Sequence, residues 1–207
     1  MLWDLFPDGR RELGGAVTNL TYHATQLGDH GILASRIGDD PFGRDLFKQA
    51  DNLGVDCNYI QRDPTYPTGT VEVQLSSGEP NYIIREKVAF DFPVFDCRWK
   101  KLAACADAVT FGTLAQRTPH AAAVIEQFLA SCSTKCIRLL DVNLRKEFWS
   151  ANLLDQSLRS ATAVKLNDEE LPIVLKAIGG KRIAPIESLQ YLVRRYHLKI
   201  ACLTRGS

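Results

Sequence analysis

Residues 136–179 read CIRLLDVNLRKEFWSANLLDQSLRSATAVKLNDEELPIVLKAIG, and the pattern of this stretch decides the fold class. Two short apolar runs, CIRLLDVN (136–143) and TAVKLN (162–167), are each followed by a segment of helical period, ANLLDQSLRSA and DEELPIVLKAIG. Strands that are apolar at almost every position are buried on both faces, and a helix between two strands is the crossover that makes them parallel. Working outward, DAVTFG (107–112) and PHAAAVIEQFLASC (119–132) repeat the unit before it, and IESLQYLVRRYH (186–197) and KIACLTRGS (199–207) repeat it after. Nearer the start, GILASRIG (31–38) reads as a strand and PFGRDLFKQADNLG (41–54) as a helix, with Pro41 in its first turn and Gly54 at its exit. The class is α/β, a mostly parallel sheet between two helix layers.

Two segments break the alternation. TGTVEVQLSSGEPNYIIRE (68–86) alternates Val71, Val73 and Leu75, turns at Ser77-Gly78-Glu79-Pro80 and continues Tyr82, Ile83, Ile84. It reads as a hairpin, either a flap over a site or an antiparallel edge of the main sheet. ELGGAVTN (12–19) sets two adjacent glycines at the mouth of a helix and an asparagine one turn in. Glycine costs backbone entropy, so its doubling here marks a backbone that must stay bare. Leu2 and Trp3 read as the tail of a strand, and the run Thr204-Arg205-Gly206-Ser207 as a strand meeting a glycine loop. Both ends look cut, and the expectation is one partial domain over residues 1–207.

Of the 207 residues 45% are hydrophobic and 24% charged, with 25 Lys plus Arg against 24 Asp plus Glu. That balance lacks the basic excess of a nucleic-acid surface. No apolar run approaches a membrane span, and MLWDLFPDGRR lacks the apolar core of a secretory signal. The six cysteines show no zinc-type spacing; Cys132 and Cys136 lie four apart, where a helix would put them on one face. Free thiols in a reducing cytoplasm are the expectation. The P-loop, the G-x-G-x-x-G fingerprint, H-E-x-x-H and G-x-S-x-G are absent. What remains is a set of polar groups at strand ends, where ligands bind in parallel sheets: Asp4; Gly14, Gly15 and Asn19; Asp141, Asn143 and Arg145; Lys165, Asn167 and Glu170; Thr204, Arg205 and Gly206. Each alone has a bland reading, such as Asp168 capping a helix or Asp141 closing a ladder.

On these residues the chain resembles the ribokinase-like, or PfkB, carbohydrate kinases, and within them the fructokinase-like members. GGAVTN with Thr21, Gly28 and Gly38 follows the spacing of the family's N-terminal signature; IGDDPFG (37–43), DVNLR (141–145) and KLNDEEL (165–171) look like fructokinase-type blocks, and LWDLFPDG (2–9) like the first substrate loop. Val17 stands where a proline or small residue is usual. The resemblance implies a three-layer α/β/α sandwich with a small β lid, formed by segments of about 8–14 and 68–90, and with its C-terminal part missing. It implies a sugar held by Asp4, Gly14, Gly15 and Asn19. ATP phosphates would meet Asn143, Arg145, Asn167, Thr204 and Gly206, and Glu170 would reach Mg²⁺ through water.

The implied activity is transfer of the ATP γ-phosphoryl group to a sugar hydroxyl, a reaction that rests on positioning and charge neutralisation. The family's general base lies in a G-A-G-D block, which residues 1–207 do not contain. The base is therefore expected beyond Ser207, and little or no turnover is expected from this chain alone. A homodimer through the lid strands is compatible with the resemblance. Other readings are a nucleoside or 2-keto-3-deoxygluconate kinase of the same family, or a non-catalytic sugar-binding remnant; the missing dinucleotide fingerprint speaks against a dehydrogenase.

Overall fold

The computed structural model describes residues 1–76, 79–181 and 184–206. The expected turn residues Ser77 and Gly78 lie outside that set, as does Ser207. The chain divides into two compact units, Met1–Val94 and Phe95–Ser207.

The first unit contains β1 (Leu2–Leu5), β2 (Arg11–Gly14), α1 (Ala16–Gln26), β3 (Ser35–Gly38), α2 (Pro41–Asn52), β4 (Ile60–Asp63), β5 (Thr70–Ser76) and β6 (Glu79–Ile84). Four of these strands form one mixed sheet in the order β2-β1-β5-β6. Strand β1 runs antiparallel to β2, with Asp4 opposite Glu12, and parallel to β5, with Asp4 opposite Val71. Segments 8–14 and 68–90 thus contribute strands to a single sheet. The 68–86 segment is a hairpin, β5 and β6 pairing antiparallel from Val71–Ile84 to Ser76–Glu79, and β6 is the edge. Strands β3 and β4 form a separate parallel pair. Trp3, Leu33, Ile37, Leu46 and Ala50 pack into this unit's core.

The stretch 31–38 is shorter as a strand than its apolar pattern predicts. Only Ser35–Gly38 belongs to β3, and Ile32 makes an isolated bridge to Asp56. Helix α2 is set by IGDDPFG. Asp40 is its N-cap, accepting from Gly43 N at 2.7 Å, and Pro41 occupies the first turn. The same carboxylate accepts from Thr68 N at 2.8 Å and from Thr68 Oγ1 at 2.7 Å, while Thr68 Oγ1 accepts from Gly38 N at 3.0 Å. The glycines at 38 and 43 are needed for this closure: a Cβ at Gly38 would lie 2.6 Å from Thr68 N, and one at Gly43 2.8 Å from Thr68 Oγ1. Burial alone would raise the Asp40 pKa, but the bonds from Thr68 and Gly43, with the Arg44 charge, hold it below the usual carboxylate value.

The second unit contains α3 (Cys97–Cys105), β7 (Ala108–Gly112), α4 (Pro119–Ala130), β8 (Ile137–Asp141), α5 (Ala151–Ser160), β9 (Ala163–Asn167), α6 (Glu170–Ala177), α7 (Pro185–Tyr196) and β10 (Ile200–Thr204). Its sheet is wholly parallel in the order β10-β9-β8-β7, so chain neighbours are spatial neighbours and a helical crossover separates each pair. Leu140, Val142, Leu154, Leu158, Val164, Leu166, Val174 and Leu192 are fully buried in its core. Thr118, Ser150 and Asp96 cap α4, α5 and α3 through side-chain oxygens. His197, with φ +53°, ends α7 in the left-handed region.

One element was not foreseen and one expectation is corrected. Segment 97–105 folds as α3, which the sequence analysis did not predict. Helix α4 stops at Ala130, so Cys132 and Cys136 do not share a helix face. Their thiols still touch: burial first, then the Cys136 neighbour, pushes the Cys132 thiol up to about 11. No disulfide joins the six cysteines. Among the described residues no helix is long and apolar enough to cross a membrane, and no group of His, Cys, Asp and Glu is arranged to hold a metal ion by itself.

Candidate functional site

In the first unit the residues singled out in the sequence meet where β1, β2 and α1 adjoin. Leu2 is opposite Gly14 and Asp4 opposite Glu12, so the pleat puts Leu2, Asp4, Glu12 and Gly14 on one face. The Asp4 carboxylate lies against the Gly14 backbone. A Cβ at Gly14 would come within 2.7 Å of Asp4 Cγ and 3.0 Å of Leu2 Cδ1, well inside contact distance. Gly14 is therefore bare because the carboxylate occupies its side-chain space. Gly15 has a different reason. As N-cap of α1 it adopts φ +107°, a region that side chains rarely tolerate. Asn19 sits one turn into α1 with its backbone N bonded to Gly15 O at 3.1 Å, and its side chain is exposed. At the same turn the buried Thr18 hydroxyl has no hydrogen-bond partner among the described residues.

Glu12 is a feature the sequence reading passed over. It is exposed, stands beside Asp4, and has Arg10 Nη1 at 3.3 Å from its carboxylate. The signal was present in ELGG, but only the strand register shows that Glu12 and Asp4 face each other.

In the second unit the predicted residues lie at the carboxyl ends of β8, β9 and β10. Asp141 ends β8 and pairs with Lys165 of β9 at 3.0 Å, neutralising one carboxylate of this rim. Beyond it Val142 is buried and held twice: its N bonds Lys165 O at 3.0 Å, and its O accepts from Thr113 Oγ1 at 3.0 Å. Thr113 is thus a buried support that the sequence reading did not include. Asn143 follows with φ +39°, uncommon for a residue with a side chain. Arg145 is exposed, its Nη1 bonding Leu144 O at 3.1 Å.

Glu170 connects this loop to the next strand. Only 6% exposed, it accepts Leu144 N at Oε1 (2.8 Å) and Asn167 N at Oε2 (2.9 Å). Its own N donates to Asn167 Oδ1 at 2.7 Å, so Asn167 and Glu170 close a reciprocal capping box at the start of α6. The structure therefore brings Leu144, Asn167 and Glu170 into one bonded cluster, with Asn143 next to Leu144 in the chain. Each Glu170 oxygen keeps a second lone pair, which fits a water-mediated contact to a cation. Thr204 closes β10 opposite Asn167, with Oγ1 3.4 Å from Leu166 O, and Gly206 lies exposed beyond it with open space where a side chain would be. Exposed Arg145, Thr204 and Gly206 beside the buried Glu170 cluster form a polar rim suited to phosphate groups.

Comparison with known proteins agrees with this architecture. A fructokinase of Klebsiella pneumoniae is 30% identical over 189 residues, covering 83% of this chain and 59% of the relative. A sugar kinase of Pyrococcus horikoshii is 28% identical over 165 residues, covering 76% of this chain and 53% of the relative. The crystal structure of that sugar kinase in complex with ATP superposes with a TM-score of 0.78 at 27% identity, over 87% of this chain and 65% of that one. A fructokinase of Vibrio cholerae O395, solved in apo form, shares the ribokinase-like α/β fold at a TM-score of 0.84 and 24% identity, over 99% of this chain and 72% of that one. The chain spans between about half and three-fifths of the length of the two curated relatives. The family model for pfkB family carbohydrate kinases matches residues 5–207, and the chain belongs to that family.

Proposed function

We propose that this chain is the sugar- and phosphate-binding part of an ATP-dependent carbohydrate kinase of fructokinase type, acting in the cytoplasm. The observation that carries the reading is the Asp4 carboxylate seated in the space that Gly14 leaves open. A carboxylate accepts hydrogen bonds from two neighbouring hydroxyls, and the half-buried Gly15, next to Gly14 in the chain, carries no side chain that would block a polyol. Asn19, exposed one turn further on, both donates and accepts.

On the second unit Asn143, Arg145, Asn167, Thr204 and Gly206 would meet the nucleotide phosphates, and Glu170 would meet Mg²⁺ through its water shell. Bound Mg²⁺ supplies charge neutralisation of the phosphates. Arg145 is free of any carboxylate within salt-bridge distance among the described residues, which suits it to an anion from outside the chain. The hairpin β5–β6 and strand β2 would act as the lid that excludes water, and the exposed Tyr82 and Ile83 on the edge strand β6 would pair two such lids in a homodimer. Residues 1–207 contain no G-A-G-D block, so the chain alone would bind and not turn over.

Titration calorimetry with D-fructose, D-ribose, adenosine and 2-keto-3-deoxygluconate tests the sugar site. Binding of fructose that is lost in Asp4→Ala supports the reading. Equal binding by parent and variant removes Asp4 from the site, and no binding of any of the four refutes the sugar reading. A coupled ADP-release assay on the same sample is expected to show no sugar-dependent rate; robust turnover would overturn the inactive-chain part.

A further inference from the structure

We propose that Glu170 is a positioning residue: its buried carboxylate fixes the conformation of the Asn143–Arg145 loop, with or without a metal ion. The inference rests on the kinase reading only for what the loop binds; the clamp itself is testable without it.

The backbone shows why the loop needs a clamp. Val142 is fixed by Lys165 O and Thr113 Oγ1, and the chain then turns through Asn143 at φ +39°. A residue with a side chain holds that conformation at a cost, and keeps it only where its neighbours over-determine it. The next amide, Leu144 N, is where this happens. It donates to Glu170 Oε1 at 2.8 Å, so the turn is pinned on both sides of Asn143. One residue later Phe148 N bonds Arg145 O at 3.0 Å, which ties down the far side of the loop. Releasing Leu144 would free Asn143 to leave the left-handed region and would move Arg145 with it.

Glu170 is itself mounted rigidly. Its second oxygen accepts Asn167 N, and its backbone N is held by Asn167 Oδ1. The two carboxylate oxygens therefore join the end of β9 to the loop after β8 through one 6%-exposed group. Only an acceptor-only side chain satisfies both amides. Glutamine would turn a donor NH₂ toward one of two N–H groups, and alanine would leave both without an acceptor.

The experiment is residue-resolved amide exchange at Leu144 and Asn167 in EDTA, for the parent chain, Glu170→Ala, Glu170→Gln and Asn167→Ala. Glu170→Ala is expected to speed Leu144 exchange by about tenfold or more, in line with loss of a charge-assisted hydrogen bond. In Glu170→Gln only one amide can keep its acceptor, so at least one of the two loses protection. Asn167→Ala, which breaks the capping box from the other side, should leave Leu144 within about threefold of the parent. Metal-free ADP affinity, measured by calorimetry in EDTA, should fall about tenfold in Glu170→Ala. Unchanged Leu144 exchange in Glu170→Ala overturns the proposal, and so does an equal loss of protection in Asn167→Ala. If Glu170→Ala does not fold, Glu170→Gln decides, and protection retained at both amides overturns the clamp. A loss of ADP affinity seen only with Mg²⁺ present, with Leu144 exchange unchanged, would assign Glu170 to the metal alone. Failure of the parent chain to bind ADP would remove the kinase reading and leave the exchange result standing.

Discussion

Gly14→Ala tests the contact on which the proposed sugar site is built. The new methyl carbon would lie 2.7 Å from Asp4 Cγ and 3.0 Å from Leu2 Cδ1. Carbon pairs rest at about 3.5–4.0 Å, so the carboxylate must retreat by about 0.8 Å or more. Overpacking of this kind costs about 1–3 kcal/mol. The gain from replacing glycine in a strand, about 0.5–1 kcal/mol, offsets only part of it. In an Asp4→Ala background Cγ and both oxygens are gone and only the Leu2 contact remains, so most of the penalty should vanish. The two substitutions should then couple by about 1–2 kcal/mol, beyond the 0.3–0.5 kcal/mol scatter of independent sites. Urea unfolding of the four proteins measures this directly. On the proposed sugar site the same displacement would move the hydroxyl acceptor, and one lost polar contact of about 1–3 kcal/mol would weaken fructose binding by about 5- to 150-fold in calorimetry. Additive stabilities, or a Gly14→Ala protein that binds fructose as tightly as the parent, would refute the packing of Asp4 against Gly14.

Three further outcomes follow from the fold. Asp40→Ala removes the α2 cap and both bonds from Thr68, and should cost about 1–2 kcal/mol in urea unfolding. Because the folded state holds Asp40 below its ordinary pKa, its stabilisation is complete above the unfolded value of about 4 and fades as pH falls through the folded one; Asp40→Asn should flatten stability in that acid window. Thiol titration with a chromogenic disulfide at pH 7.5 should show a fast class of Cys97, Cys105 and Cys202, which are exposed. Cys57 and Cys132, both pushed up to about 11 by burial first, should react slowly, as should the buried Cys136. Leu166→Ala, at a fully buried position of the parallel sheet, should cost about 2–5 kcal/mol, whereas Ile200→Ala, 57% exposed, should stay within about 0.5 kcal/mol.

The parallel sheet was legible because its strands are apolar at most positions and β7, β8 and β9 are each followed by a helical segment. Strands β8 and β9 fall within a residue or two of their runs. Strand β2 was hidden: RELG has one large apolar residue and takes its strand form from pairing with β1. Strand β4 was hidden in the same way, since IQRD gains its shape from β3. Helix α3 was readable in principle, with Trp99, Leu102 and Ala103 on one buried face behind the Asp96 cap, but three cations in nine residues obscured the apolar period. At the site the residue types could be read and their partners could not. Nothing in KLNDEE says that Glu170 reaches back to Leu144, 26 positions earlier, because that contact depends on how β8 and β9 align.

Asp40 closes a helix and moors the base of a hairpin with the same two oxygens, joining positions 28 residues apart. An engineer exchanging the β5–β6 arm for that of another protein therefore inherits a hidden condition. The donor segment must bring a hydroxyl to position 68, or the transplant will leave Gly38 N without its acceptor and the helix-capping carboxylate without one of its donors.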